Sequence, residues 1–326
     1  MAYRLRARES VRLGVKRVIR EEIDSAIEEL LHGKDRDEAI HDARKSAKRI
    51  RGALRLVRFD LGSQFGQENG VFREIGLKLS DLRDAQALLE VFDDIVARYK
   101  QPLPSIRRGL EERKRRFEAA VDAKAVTEEV IADLRQAREW MDRWPLHSNG
   151  FAAVAPGLGG TFRAGRRAFA AAYAEPTPEH FHEWRKRAKD HWYHIRLLEN
   201  LWTPVMQAYE TSLKCLEQLL GDDHNLVVLR TSIQAGPELF RNRRELGTLY
   251  RLADTFRDEL RTEARSIGER IYGPKPKEFI AHMQHLWEAW RHEAERSWAR
   301  RTLLGKVPAK APAKAPAAKH LQKAGD

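Results

Sequence analysis

Cysteine is almost missing from this chain. Cys215 is the single one in 326 residues, so no intrachain disulfide can staple the fold. Long apolar runs are missing too, and nothing approaches the ~18 uninterrupted apolar residues of a membrane span. The opening stretch, MAYRLRARESVRLGVKRV, is charged throughout and lacks the apolar stretch of a secretory signal. The expectation is a cytoplasmic protein. Strand-like alternation is scarce, which argues against sheets. No glycine-rich phosphate loop occurs, because GLGG at 157–160 lacks the following Lys and Ser/Thr. Cys215 has no obvious base partner. The pairs His191/His194 and His282/His285 come without an accompanying acid and histidine set of metal-binding spacing. Asp93-Asp94 and Asp222-Asp223 form no two-carboxylate helical motif. The expectation is therefore no enzyme, no metal and no cofactor.

What is present is a helical, basic chain. Apolar residues make up 42% and charged residues 33%, enough of the former for a real core. Lys and Arg outnumber Asp and Glu by 60 to 48, a formal net charge of +12. That balance favours polyanionic partners such as nucleic acid, an acidic membrane surface or polyphosphate. Helical periodicity predicts helices over 4–31, 38–59, 71–99, 105–122, 124–143, 179–201, 205–220, 223–234, 242–272 and 276–300. Glycine and proline separate them. Residues 304–326, rich in Lys, Pro and Ala, have almost nothing to bury and predict a disordered, positively charged tail.

One motif occurs twice. HDARKSAK at 41–48 and HEWRKRAK at 182–189 share H-x-x-R-K-x-x-K. An offset of 182 − 41 = 141 also maps Arg55 onto Arg196, Leu79 onto Leu220, Asp81 onto Asp222 and Leu88 onto Leu229 without a gap. This predicts a duplicated helical unit, 1–144 and 151–300, with the break in the Pro- and Gly-rich stretch at 145–160. About four helices per unit suit a bundle. The expected architecture is all-α: two tandem four-helix bundles related by a pseudo-twofold axis, with a basic central groove.

In the first copy His41, Arg44, Lys48, Arg51, Arg55 and Arg58 follow 3, 4, 3, 4, 3 spacing. They run one residue behind the apolar stripe Ile40, Ala43, Ala47, Ile50, Leu54 and Val57, so the cations flank the buried face. Lys45 widens the row. A solvated helix face normally interleaves acids at i+3 or i+4. From Ala43 to Phe59 there is no Asp or Glu, so something else must balance this charge. The second copy keeps His182, Arg185, Lys186, Lys189 and Arg196. Such rows suit phosphate, which Arg binds with a forked pair of N–H groups and Lys with a compact charge. Secondary candidates are Arg17, Arg20, Arg116, Arg163, Arg166, Arg167 and Arg257. Asp81 and Asp222 read as helix caps after a turn.

These octets, the stretch LSDLRDAQALL with its partner LGDDHNLVVL, and the ending PKEFIAHMQHLWEAW resemble the conserved-histidine α-helical domain, or CHAD, family across residues 1–300. The resemblance implies two four-helix bundles around a basic channel that binds inorganic polyphosphate, with association to polyphosphate granules. Carried over by position, the ligand residues are His41, Arg44, Lys45, Lys48, His182, Arg185, Lys186 and Lys189, joined by Arg51, Arg55 and Arg196. Two other readings of the same charge stay open: a nucleic-acid-binding helical protein, and an enzyme that processes phosphoanhydrides.

Overall fold

The computed structural model describes residues 3–81, 84–120 and 122–303, so the expected tail at 304–326 lies outside it. Among the described residues there are twelve α-helices and no strand. They are α1 (Val11–His32), α2 (Arg36–Leu56), α3 (Arg58–Leu61), α4 (Gln64–Asp81), α5 (Asp84–Tyr99), α6 (Pro104–Ala120), α7 (Ala123–Trp140), α8 (Ala155–Ala174), α9 (Pro178–Leu197), α10 (Thr203–Ala235), α11 (Arg243–Tyr272) and α12 (Pro276–Leu303). No helix among the described residues is long and apolar enough to cross a membrane.

The two octet helices begin on side-chain caps. Asp35 accepts from the Glu38 amide at 2.9 Å and starts α2. Thr177 accepts from the His180 amide at 3.2 Å, with Pro178 in the first turn of α9. Such caps satisfy amides that the helix itself cannot. The α2 stripe Ile40, Ala43, Ala47, Ile50 and Leu54 is fully buried, as its spacing requires.

Among the boundaries that differ from the sequence expectation, such as α4 starting at Gln64 and not at residue 71, three bear most on the packing. First, α1 starts at Val11 and not at residue 4, because Ser10 caps it by accepting from Leu13 at 3.2 Å. The residues before it make a turn at 7–8 and join the end of α9, where the Leu5 amide donates to the Leu197 carbonyl at 2.8 Å. Second, α8 fills a stretch that reads as punctuation. Pro156 sits in its first turn, where proline costs nothing, and Gly157, Gly159 and Gly165 are buried. Third, α10 runs unbroken through Gly221, Asp222 and Asp223. Asp222 is therefore not a cap. Asp223 is buried and held by Arg257 at 3.2 Å and Arg261 at 2.7 Å.

In packing, α1 lies on α2 and α2 on α4, as α8 lies on α9 and α9 on α10; α2 also touches α9. The apolar residues do not cluster as one bundle per sequence half. The larger core joins residues of α1, α2, α4 and α7 to residues of α8, α9, the first part of α10, and α12. The smaller joins Leu88, Phe92, Ile106 and Leu110 to Leu226, Leu229, Phe240 and Leu249. Each core thus draws on both halves, because α10, at 33 residues, is long enough to serve both.

Candidate anion-binding groove

The two octet helices meet at a glycine. The Cβ of Tyr193 would lie 2.7 Å from a Cβ built on Gly52, and the His194 ring nitrogen Nε2 lies 3.1 Å from the Gly52 carbonyl oxygen. This close approach brings the N-terminal parts of the cationic stripes to one groove of about 1020 Å³. α2 supplies His41, Arg44, Lys45 and Lys48; α9 supplies Arg185 and Lys189. Arg113 of α6 joins them, and the acids of the lining are Glu90 and Glu217. Trp192, Phe117 and Val228 add apolar wall.

The cations are held differently on the two sides. Arg44 donates to the Ser80 hydroxyl at 2.8 Å. Arg185 and Lys189 both reach the Glu217 carboxylate, at 3.2 and 2.5 Å. Burial pushes the Glu217 carboxyl up, but Lys189 and Arg185 outweigh it and hold the group below its ordinary value. Lys48 has no carboxylate within ion-pair reach among the described residues. Burial, followed by the fields of Lys189, Arg44 and Arg185, pulls its pKa down to about 7. Burial also lowers Lys189. Lys48 is thus poised to lose its charge near neutrality unless an anion arrives.

A family profile described as the CHAD domain matches residues 18–234, which include both octets and most of the groove wall. The chain belongs to the CHAD domain family. The crystal structure of the CHAD domain from the plant Ricinus communis is similar in fold. It shares 18% identity, with 87% of this chain and 95% of that chain covered, at a TM-score of 0.55. No curated protein gives a significant match.

Within this CHAD fold the remaining sequence candidates separate by position. His182 is half-buried behind the groove wall, its ring 4.1 Å from that of His224, which lines the groove. Burial, then Lys186 and Arg185, lower the His182 pKa; burial takes His224 to about 4. Lys186 is exposed and paired with Glu183 at 2.5 Å. Arg51 donates to Asn69 at 3.2 Å, and burial lowers its pKa to about 10. Arg55 pairs with Asp190 at 3.0 Å. Arg196 pairs with Glu210 at 2.9 Å and lies over the rings of Tyr3 and Trp192. None of these five lines the groove.

The secondary candidates also stand apart from it. Arg17 is clamped between Glu9 and Glu21 at 2.6 and 3.2 Å, Arg20 pairs with Asp142 at 2.6 Å, and Arg116 with Glu112 at 2.8 Å. Arg257 serves the buried Asp223. Arg163, Arg166 and Arg167 lie on α8, away from the lining residues. The histidine pair on α9 is packed internally: His191 lies against Phe162 and Phe279, and burial takes both rings to about 3.

Sequence reasoning missed Arg113, Glu217 and His224. Arg113 lies on α6, outside both octets, so the repeated motif gives no signal for it. For Glu217 the 141-residue offset falls on Gly76, so the repeat gives no signal.

Proposed function

We propose that this CHAD domain binds inorganic polyphosphate in the α2–α9 groove and does not turn it over. The observation that carries the reading is the convergence of Arg44 and Lys48 with Arg185 and Lys189 on one cavity wall. A linear chain with one negative charge per phosphate suits cations arriving from two helices better than one compact anion does. One local hydrogen bond supports two related halves: the 141-residue shift carries Arg51–Asn69 at 3.2 Å onto Trp192–Glu210 at 3.3 Å. On this reading the protein would associate with polyphosphate granules.

The test is a titration with orthophosphate, tripolyphosphate and long-chain polyphosphate at two salt concentrations. Affinity should rise with chain length at matched phosphate and fall steeply with salt, as for other polyanions. Equal affinity for orthophosphate and long chains would overturn the reading. Displacement of polyphosphate by DNA or RNA at moderate salt would favour a nucleic-acid binder. Phosphate release, with or without Mg²⁺, would mark an enzyme.

A further inference from the structure

We propose that Glu217 is a built-in competitor anion, which holds the Arg185 and Lys189 end of the groove until a polyanion displaces it. The inference rests on the polyphosphate reading above and names what sets its length threshold. Glu217 is 8% exposed and lies on the groove wall itself. Its carboxylate accepts from Lys189 at 2.5 Å and stands in ion-pair contact with Arg185 at 3.2 Å. A phosphate oxygen needs those same donors.

The acid is not required for a lysine to stand at this register. Lys48 occupies the corresponding position of the first octet, where the 141-residue offset sets Gly76 in place of Glu217. No carboxylate pairs with Lys48 among the described residues. Glu217 thus hydrogen-bonds to the second-octet lysine, while it reaches Lys48 only through its field. Being tethered, it competes at an effective concentration of about millimolar or higher. Free orthophosphate below that level loses to it. A chain already held elsewhere along the groove is tethered as well and competes on equal terms.

The experiment compares tripolyphosphate with polyphosphate of about 100 units on the full chain, wild type against Glu217→Gln, by calorimetry. We expect Glu217→Gln to bind tripolyphosphate about tenfold tighter and the long chain by a smaller factor. The ratio between the two affinities should therefore narrow. Unchanged or weaker tripolyphosphate binding overturns the inference, as does an equal gain at both lengths, while the polyphosphate reading survives both results. A wild-type protein that binds neither anion overturns that reading and the inference with it. Glu217→Asp, which retracts the carboxylate by one methylene, serves if the Gln variant fails to fold. It should bind tripolyphosphate between the two, and wild-type affinity would count against the inference.

Discussion

Lys189 places its ammonium nitrogen 2.5 Å from the Glu217 carboxylate, whereas Lys48, its counterpart in the first octet, stands among Lys189, Arg44 and Arg185 without such an acid. Burial lowers the pKa of both lysines, and of the two only Lys189 has a hydrogen-bonded acid among the described residues. The groove is basic by composition, yet its charge near neutral pH is set by how these side chains are paired.

Lys48 gives the pH dependence its sign. Its folded pKa is about 7, against 10.5 for an ordinary lysine. Between those values the unfolded chain binds the extra proton, so the Lys48 contribution makes the unliganded protein more stable as pH rises through that window. A bound polyanion reverses the pressure and restores the ammonium form. Binding then takes up a proton, and affinity should fall as pH rises through about 7. Lys48→Met should flatten this profile and weaken long-chain polyphosphate binding about tenfold. It should also raise the unliganded Tm by about 2 °C. Calorimetry in two buffers of different ionisation enthalpy measures the proton uptake. His182→Gln should leave the profile in place, and loss of the pH dependence in that variant would assign it to the imidazole.

Arg44 and Arg185 reach the groove from different helices, so one polyphosphate chain can engage both. Arg44→Gln and Arg185→Gln should each weaken binding about tenfold, the loss of one charge-assisted contact. The double variant should lose about a hundredfold and show a shallower salt dependence, with fewer counterions released. Wild-type affinity in the double variant would place the anion elsewhere on the molecule.

Asp223 separates structural cations from those that await a ligand. Arg257 shares a register with Arg116 in the sequence and reads there as a candidate contact. In the fold it and Arg261 close on the buried Asp223 carboxylate. Asp223→Asn leaves two guanidinium groups facing a neutral amide. It should cost about 3 kcal/mol in urea unfolding, the penalty for breaking a buried ion pair from one side. Affinity for tripolyphosphate, measured below the unfolding transition, should stay within about twofold of wild type.

Much of the octet helix and its charge is legible in the residues alone. The α2 stripe from Ile40 to Leu54 follows a 3.6-residue period, and a helix flanked by cations on its buried edge must point them at a neighbouring element or a ligand. The absence of acids between Ala43 and Phe59 already says that the balancing charge comes from elsewhere. Periodicity could not show how far the stripe stays in the groove. The α2–α9 crossing at Gly52 leaves Arg44 and Lys48 on the groove side, while Arg55 meets Asp190 of α9. Nor could it show α8, since Pro156 and the glycines after it resemble a linker until the helices packed on Gly157 and Gly159 are known. At Gly221 the opposite error arises. A glycine followed by two aspartates imitates a helix end, but here α10 runs on through it, and an added Cβ would meet the Arg185 guanidinium only at ordinary contact, 3.4 Å from Nε.

Gly157 makes the strongest case that GLGG serves packing and not phosphate. A Cβ built there would collide with the Leu56 carbonyl oxygen and lie 2.7 Å from its carbon and 2.8 Å from the Arg55 carbonyl oxygen. These are backbone atoms at the end of α2, so no rotamer change relieves the clash, and α8 would have to move away from the octet helix. Gly157→Ala should therefore destabilise the protein by about 2 kcal/mol or more, at the upper part of what overpacking costs. Gly160→Ala, three residues on, meets only the edge of the Phe59 ring at 4.0 Å. Since alanine also favours a helix interior over glycine, that variant should be neutral or up to about 1 kcal/mol more stable. Thermal melts of the two variants side by side check the contrast. Equal Tm values would mean that the α2–α8 contact is looser than these distances require.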